Sequence, residues 1–100
     1  MNEETIDTLL PSVKKRLRIT FDQVDDEIRE YIESGMGYLQ EKAGSLDFSI
    51  GSIELSSIKA KNLLKEWCVY CWNGTQAFFG DDYQSEIIAL QILVAAERGG

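Results

Sequence analysis

Apolar residues recur at helical spacing along most of this chain, and the stretches where they do not divide it into four segments. In TLLPSVKKRLRI, Leu10, Val13 and Leu17 fall on one helical face while Lys14, Lys15, Arg16 and Arg18 occupy the others. Thr8 as N-cap puts Pro11 in the first turn, where its missing N–H has no intrahelical partner to lose, so the pattern predicts a first helix over 8–19. The next segment carries Val24, Ile28, Tyr31, Ile32, Gly35, Leu39 and Ala43 as its apolar stripe. Asp22 is its expected N-cap, Asp25, Asp26 and Glu27 favour its first turn, and Gly44 behind Lys42 ends it, which predicts a second helix over 23–43. Its two internal glycines cost helix propensity but permit another helix to come close.

Period two replaces helical spacing between Leu46 and Leu55. Leu46, Phe48 and Ile50, then Ile53 and Leu55, alternate around Gly51-Ser52, a pattern for a short hairpin or an extended loop. A third helix begins near Ser57, with Ala60, Leu64, Trp67, Cys68, Cys71 and Thr75 in register, and Asn73-Gly74 is a local signal to stop it. The final segment is helical over 83–98. From Ile87 to Ala96 every residue but Gln91 is apolar, so this helix has no polar face to turn to water. Ile87, Leu90 and Val94 share one face and Ile88, Ile92 and Ala95 another; the segment is either a central core helix or one that docks on a partner.

The chain is 100 residues long, which fits one domain, and its 44% hydrophobic content is enough for it to fold. Its net charge of -7 excludes unselective binding to nucleic acid or anionic lipid. The acidic, polar start MNEETIDTLL lacks the pattern of an export signal, and the apolar run near the end is about half the roughly 20 residues of a membrane span. A cytoplasmic site of synthesis and no membrane partner are therefore expected.

Cys68 and Cys71 are a C-x-x-C pair, a spacing that serves redox or metal chemistry. Their position well inside a helix removes the dipole that lowers a redox thiol's pKa, and zinc lacks further ligands because the chain has no other cysteine and no histidine. With Trp67 they are expected to be structural core. No histidine, glycine-rich phosphate loop or nucleophile motif points to catalysis, and no enzyme activity, metal or cofactor is expected. The basic run KKRLR raises DNA binding, but the acidic balance and the interleaved leucines favour a solvated helix face. Lys14, Lys15 and Arg18 on the first helix instead complement Asp25, Asp26 and Glu30 on the second, as in a contact between neighbouring subunits.

At LLPSVKKRLRIT, DDEIREYIESGMGYL, LLKEWCVYCWNG and YQSEIIALQILVA, in that order and across nearly the whole chain, the sequence resembles the tailed-bacteriophage head-to-tail connector family. These are small adaptors that bind beneath the portal. Order and spacing carry the resemblance; no single motif does. It implies an all-α bundle of about four helices, with a loop or short hairpin between the second and third, and no catalytic site. It also implies a homo-oligomeric ring of roughly a dozen subunits held by repeated heterologous contacts. The partners implied are the portal protein and the next tail-side or stopper protein, with genomic DNA passing through the channel and no sequence-specific contact. The location implied is the neck of the virion, after synthesis in the host bacterial cytoplasm.

By the same resemblance the third helix continues past Asn73-Gly74 to cover 57–79, and the cysteine pair and the alternating segment depart from the family's pattern. The apolar last helix, through Ile87, Ile88, Leu90, Ile92 and Val94, is the expected portal-docking element. The alternative expectation is a small cytoplasmic regulatory protein that binds a protein partner or DNA through its first two helices.

Overall fold

The computed structural model describes residues 3–99. They form α1 (Glu3–Leu17), α2 (Asp25–Ala43), α3 (Leu55–Trp72), a 3-10 turn (Gln76–Phe78), the short α4 (Phe79–Asp82) and α5 (Gln84–Gly99). The fold is all-α, a small helical bundle with no strand among the described residues.

α1 begins at Glu3, not at Thr8. Its buried stripe starts at Ile6 and continues through Leu9, Leu10 and Val13, and Glu3 and Glu4 favour the positive end of the dipole. Thr8 is therefore no cap: its hydroxyl donates to the Thr5 carbonyl inside the helix, 2.7 Å away. Pro11 lies inside the helix on its exposed side, so the tertiary stripe has overridden a residue that disfavours helix interiors. α1 ends at Leu17 because Arg18 turns left-handed, φ 62°. The Ile19 N–H then reaches the Lys14 carbonyl at 2.9 Å and the Arg18 N–H the Lys15 carbonyl at 3.1 Å, the paired bonds of a Schellman stop.

α2 opens at Asp25 after Val24, and no side chain caps it. Asp22, the expected cap, is drawn away to Lys14. The end falls at Gly44 as its sequence requires, with φ 95° and its N–H on the Gln40 carbonyl. Residues 44–54 form a loop, so the alternation read there as a possible hairpin resolves without strand pairing. Phe48 is buried, whereas Ile50 and Ile53 are exposed.

α3 opens two residues before the expected Ser57. The Ser56 N–H and hydroxyl both bond the Glu97 carboxylate, and the Ser57 hydroxyl donates to the Asp47 carbonyl. The cap thus comes from α5, 41 residues away in sequence, where local pattern cannot show it. At its other end the expected continuation to residue 79 fails. Gly74 takes φ 73°, the Thr75 N–H bonds the Tyr70 carbonyl at 2.8 Å, and the Gly74 N–H bonds Cys71 at 3.0 Å. The local Asn-Gly signal prevails over the resemblance, and the chain turns through the 3-10 segment and α4 before α5.

α2 and α3 pack face to face at Gly35, where an added Cβ would lie 2.5 Å from Leu64 Cδ1 and 2.6 Å from Trp67 Cδ1. α1 and α5 each contact both members of this pair, which gives a rhomb-like cross-section with α2 and α3 across its middle. Arg16 on Glu66 ties α1 to the second half of α3, while Gln91 on the Lys42 carbonyl and Arg98 on the Ser45 carbonyl tie the end of α5 to the end of α2.

Candidate functional site

α5 divides its apolar circumference in two. Ile87, Leu90 and Val94 are buried against the α2–α3 pair, so three of the five expected docking residues are core. Ile88 and Ile92 are 46% and 64% exposed, and Ala95 and Ala96 beside them are also exposed. Between Glu86 and Glu97 the helix carries no charge. Both edges of this stripe are anchored, by Lys59 on Glu86 and the Ser56–Glu97 bonds on the α3 side and by Gln91 on the α2 side. The outer face is therefore a fixed apolar surface.

The charge set expected to join subunits is partly spent within one subunit. Lys14 Nζ lies 2.7 Å from Asp22 and 2.8 Å from Asp25, and these carboxylates raise its pKa while Lys14 lowers that of Asp22. Asp26 meets Arg29, which also holds Asp7 at 3.0 Å. Lys15, Arg18 and Glu30 are exposed and make no ion pair among the described residues. Arg16 forms a bidentate pair with Glu66 at 3.0 Å on both contacts, so half of the basic run faces carboxylates of its own chain. Helix periodicity places charges on a face but cannot show which neighbouring helix already compensates them.

Cys68 is fully buried and Cys71 half-buried, and both are free thiols. Burial pushes the Cys68 thiol up to about 12, with the neighbouring Cys71 adding to the shift, and burial also raises Cys71. Neither is poised as a nucleophile at neutral pH. Among the described residues no group of three or more metal-ligating side chains converges. Alkylation at pH 8 is expected to leave Cys68 unmodified in the native protein and to label both cysteines in denaturant. Native labelling of Cys68 at the rate of an exposed thiol would contradict its place in the core.

Trp67 belongs to an aromatic cluster that periodicity missed. Its ring stacks on Tyr38 at 4.7 Å, and its Nε1 donates to the Ser34 hydroxyl. Phe79 sits edge-on to Tyr38, Trp67 and Tyr70 and stacks on Tyr83 at 4.7 Å. The Tyr70 hydroxyl donates to Asp82 and the Tyr83 hydroxyl to Glu66, so both phenols keep their polar ends satisfied.

The remaining exposed apolar side chains gather at the two ends of the bundle. Phe21, Trp72 and Phe78 lie where α1 ends, α2 begins and α3 stops; Ile50, Ile53, Leu55 and Ile58 lie on the loop and the first turn of α3. Phe78 at 61% and Ile53 at 87% are far more exposed than side chains of their size in a closed core. Among the described residues no helix is long and apolar enough to cross a membrane. No family model matches this chain, and neither a curated protein nor a solved structure does.

Proposed function

We propose that this chain is a subunit of a ring-forming connector between a phage portal and its tail or neck, and that its work is binding geometry rather than catalysis. One observation carries the reading: α5 buries Ile87, Leu90 and Val94 in its own subunit and leaves Ile88 and Ile92 on an anchored apolar face. Fully burying one exposed large aliphatic side chain gains roughly 1.5–3 kcal/mol, and Ile88 and Ile92, 46% and 64% exposed, have about half of that left to gain each. Two such side chains, repeated around a ring, suffice to localise it on the portal. The exposed apolar groups at both ends of the bundle suit a part held between two neighbours. The resemblance supplies the identity of those neighbours, with the portal on one side and the next tail-side protein on the other. The regulatory alternative asks the basic first helix to meet a partner, yet Lys14 and Arg16 are already paired.

Changing Ile88 and Ile92 together to serine is expected to leave a folded subunit with native helicity that no longer cosediments with portal-bearing, tailless heads. Normal binding by that variant would move the docking surface elsewhere. Absence of the wild-type chain from purified virions would sink the connector reading.

A further inference from the structure

We propose that copies of this chain associate head to tail, with the outer face of α3 on one copy seated on the outer face of α2 on the next. The two faces lie on opposite sides of the subunit, because α2 and α3 pack on each other through Gly35, Leu64 and Trp67. One copy can therefore give and receive a contact at once. This names the surfaces that join subunits; closure into a ring rests on the connector reading, whereas the pairwise contact does not.

The α3 side offers an apolar and basic groove. It has a volume of about 270 Å³ between α1, the 44–54 loop and α3, and its lining includes Leu9, Ile50, Ile58, Lys61 and Lys65 with no carboxylate. Ile58 is 42% exposed beside it. Lys61 donates to the Ser49 carbonyl at 2.6 Å, but Lys65 makes no ion pair among the described residues. Such a groove selects an acid-bearing surface.

The α2 side is that surface. Glu30, Glu33 and Glu41 are exposed on one helical face and make no ion pair among the described residues, with Gly37 among them and open space above it; Asp26, held by Arg29, and Glu27, which accepts the Tyr31 hydroxyl, border them. Glu27–Glu30 and Glu30–Glu33 are like-charge pairs at helical spacing and disfavour the isolated helix. A lysine-bearing neighbour relieves that repulsion, and the bare backbone at Gly37 lets a ridge approach closely. Charge complementarity of this kind fixes register and orientation as well as attraction.

The test is sedimentation of the full chain at about 50 mM and about 500 mM salt, where screening separates charge-driven from apolar association. Association that weakens with salt is expected. Lys65→Glu alone, and Glu30→Lys with Glu33→Lys, are each expected to weaken it by about tenfold or more, since like charges then meet. The first variant adds a carboxylate to the α3 groove beside the remaining Lys61 and keeps the acidic α2 face, while the second keeps the basic groove and puts two lysines on α2, so an equimolar mixture should associate more tightly than either variant alone. Circular dichroism of each variant must show native helicity, as all three positions lie outside the core. A wild-type chain that stays monomeric at both salt concentrations overturns the proposal, as does a mixture that associates no better than its components. Salt-dependent, complementable association without binding to heads would leave this proposal standing and remove the connector reading.

Discussion

Phe79→Ala is expected to destabilise the fold by about 3–5 kcal/mol, the range for deleting a buried aromatic ring. Phe79 has no exposed surface and touches four aromatic rings, two of which keep their hydroxyls on carboxylates. Removing it leaves a cavity those rings cannot close without breaking their hydrogen bonds. Domains of this size have about 5–15 kcal/mol in all, so the variant should sit near its unfolding threshold. Phe78→Ala, one residue earlier at a largely exposed side chain, should change stability by less than about 0.5 kcal/mol. Urea unfolding of both variants checks the pair. Equal midpoints would mean that the aromatic cluster does not organise the core.

The two glycines of α2 should respond with opposite signs. Gly35→Ala places a methyl against Leu64, which is 1% exposed, and against the Trp67 ring, which is held by Tyr38 and Ser34; neither can retreat freely. Overpacking of this kind costs about 1–3 kcal/mol, and the larger end is expected here, with Gly35→Val worse again. Gly37→Ala has nothing within 4 Å of its new Cβ and should gain about 0.5–1 kcal/mol from helix propensity. The same unfolding measurement decides it. Stabilisation by both substitutions would show that α2 and α3 can separate at Gly35 without loss.

These contrasts also mark how much of the molecule was legible in the sequence. Helical spacing located the four main helices and separated the Ile87, Leu90, Val94 face of the last one from Ile88 and Ile92, because that division depends only on period. Glycine chemistry marked two stops, Gly44 and Gly74, since a positive φ is a local demand. It was the resemblance, not the local signal, that ran the third helix too far. The sequence did not show what depends on distant partners: Glu97 capping α3, Asp22 serving Lys14 instead of α2, Pro11 carried inside α1 by the stripe beneath it. The candidate surfaces divide in the same way. Faces could be assigned, but which charges remain for a neighbour required the ion pairs of the folded subunit.

The loop between α2 and α3 bears on the kinetics of any contact made at that end. Lys61 holds the Ser49 carbonyl, with those of Ile50 and Ser52 at 3.4 Å each, and Asp47 accepts the Ser49 N–H and hydroxyl. One ammonium gathers the turn that displays Ile50 and Ile53. The entropy of ordering this segment is thus lost when the subunit folds, and association there starts from a preformed shape. A partner that meets these isoleucines should dock in a single step, without a slow rearrangement after encounter.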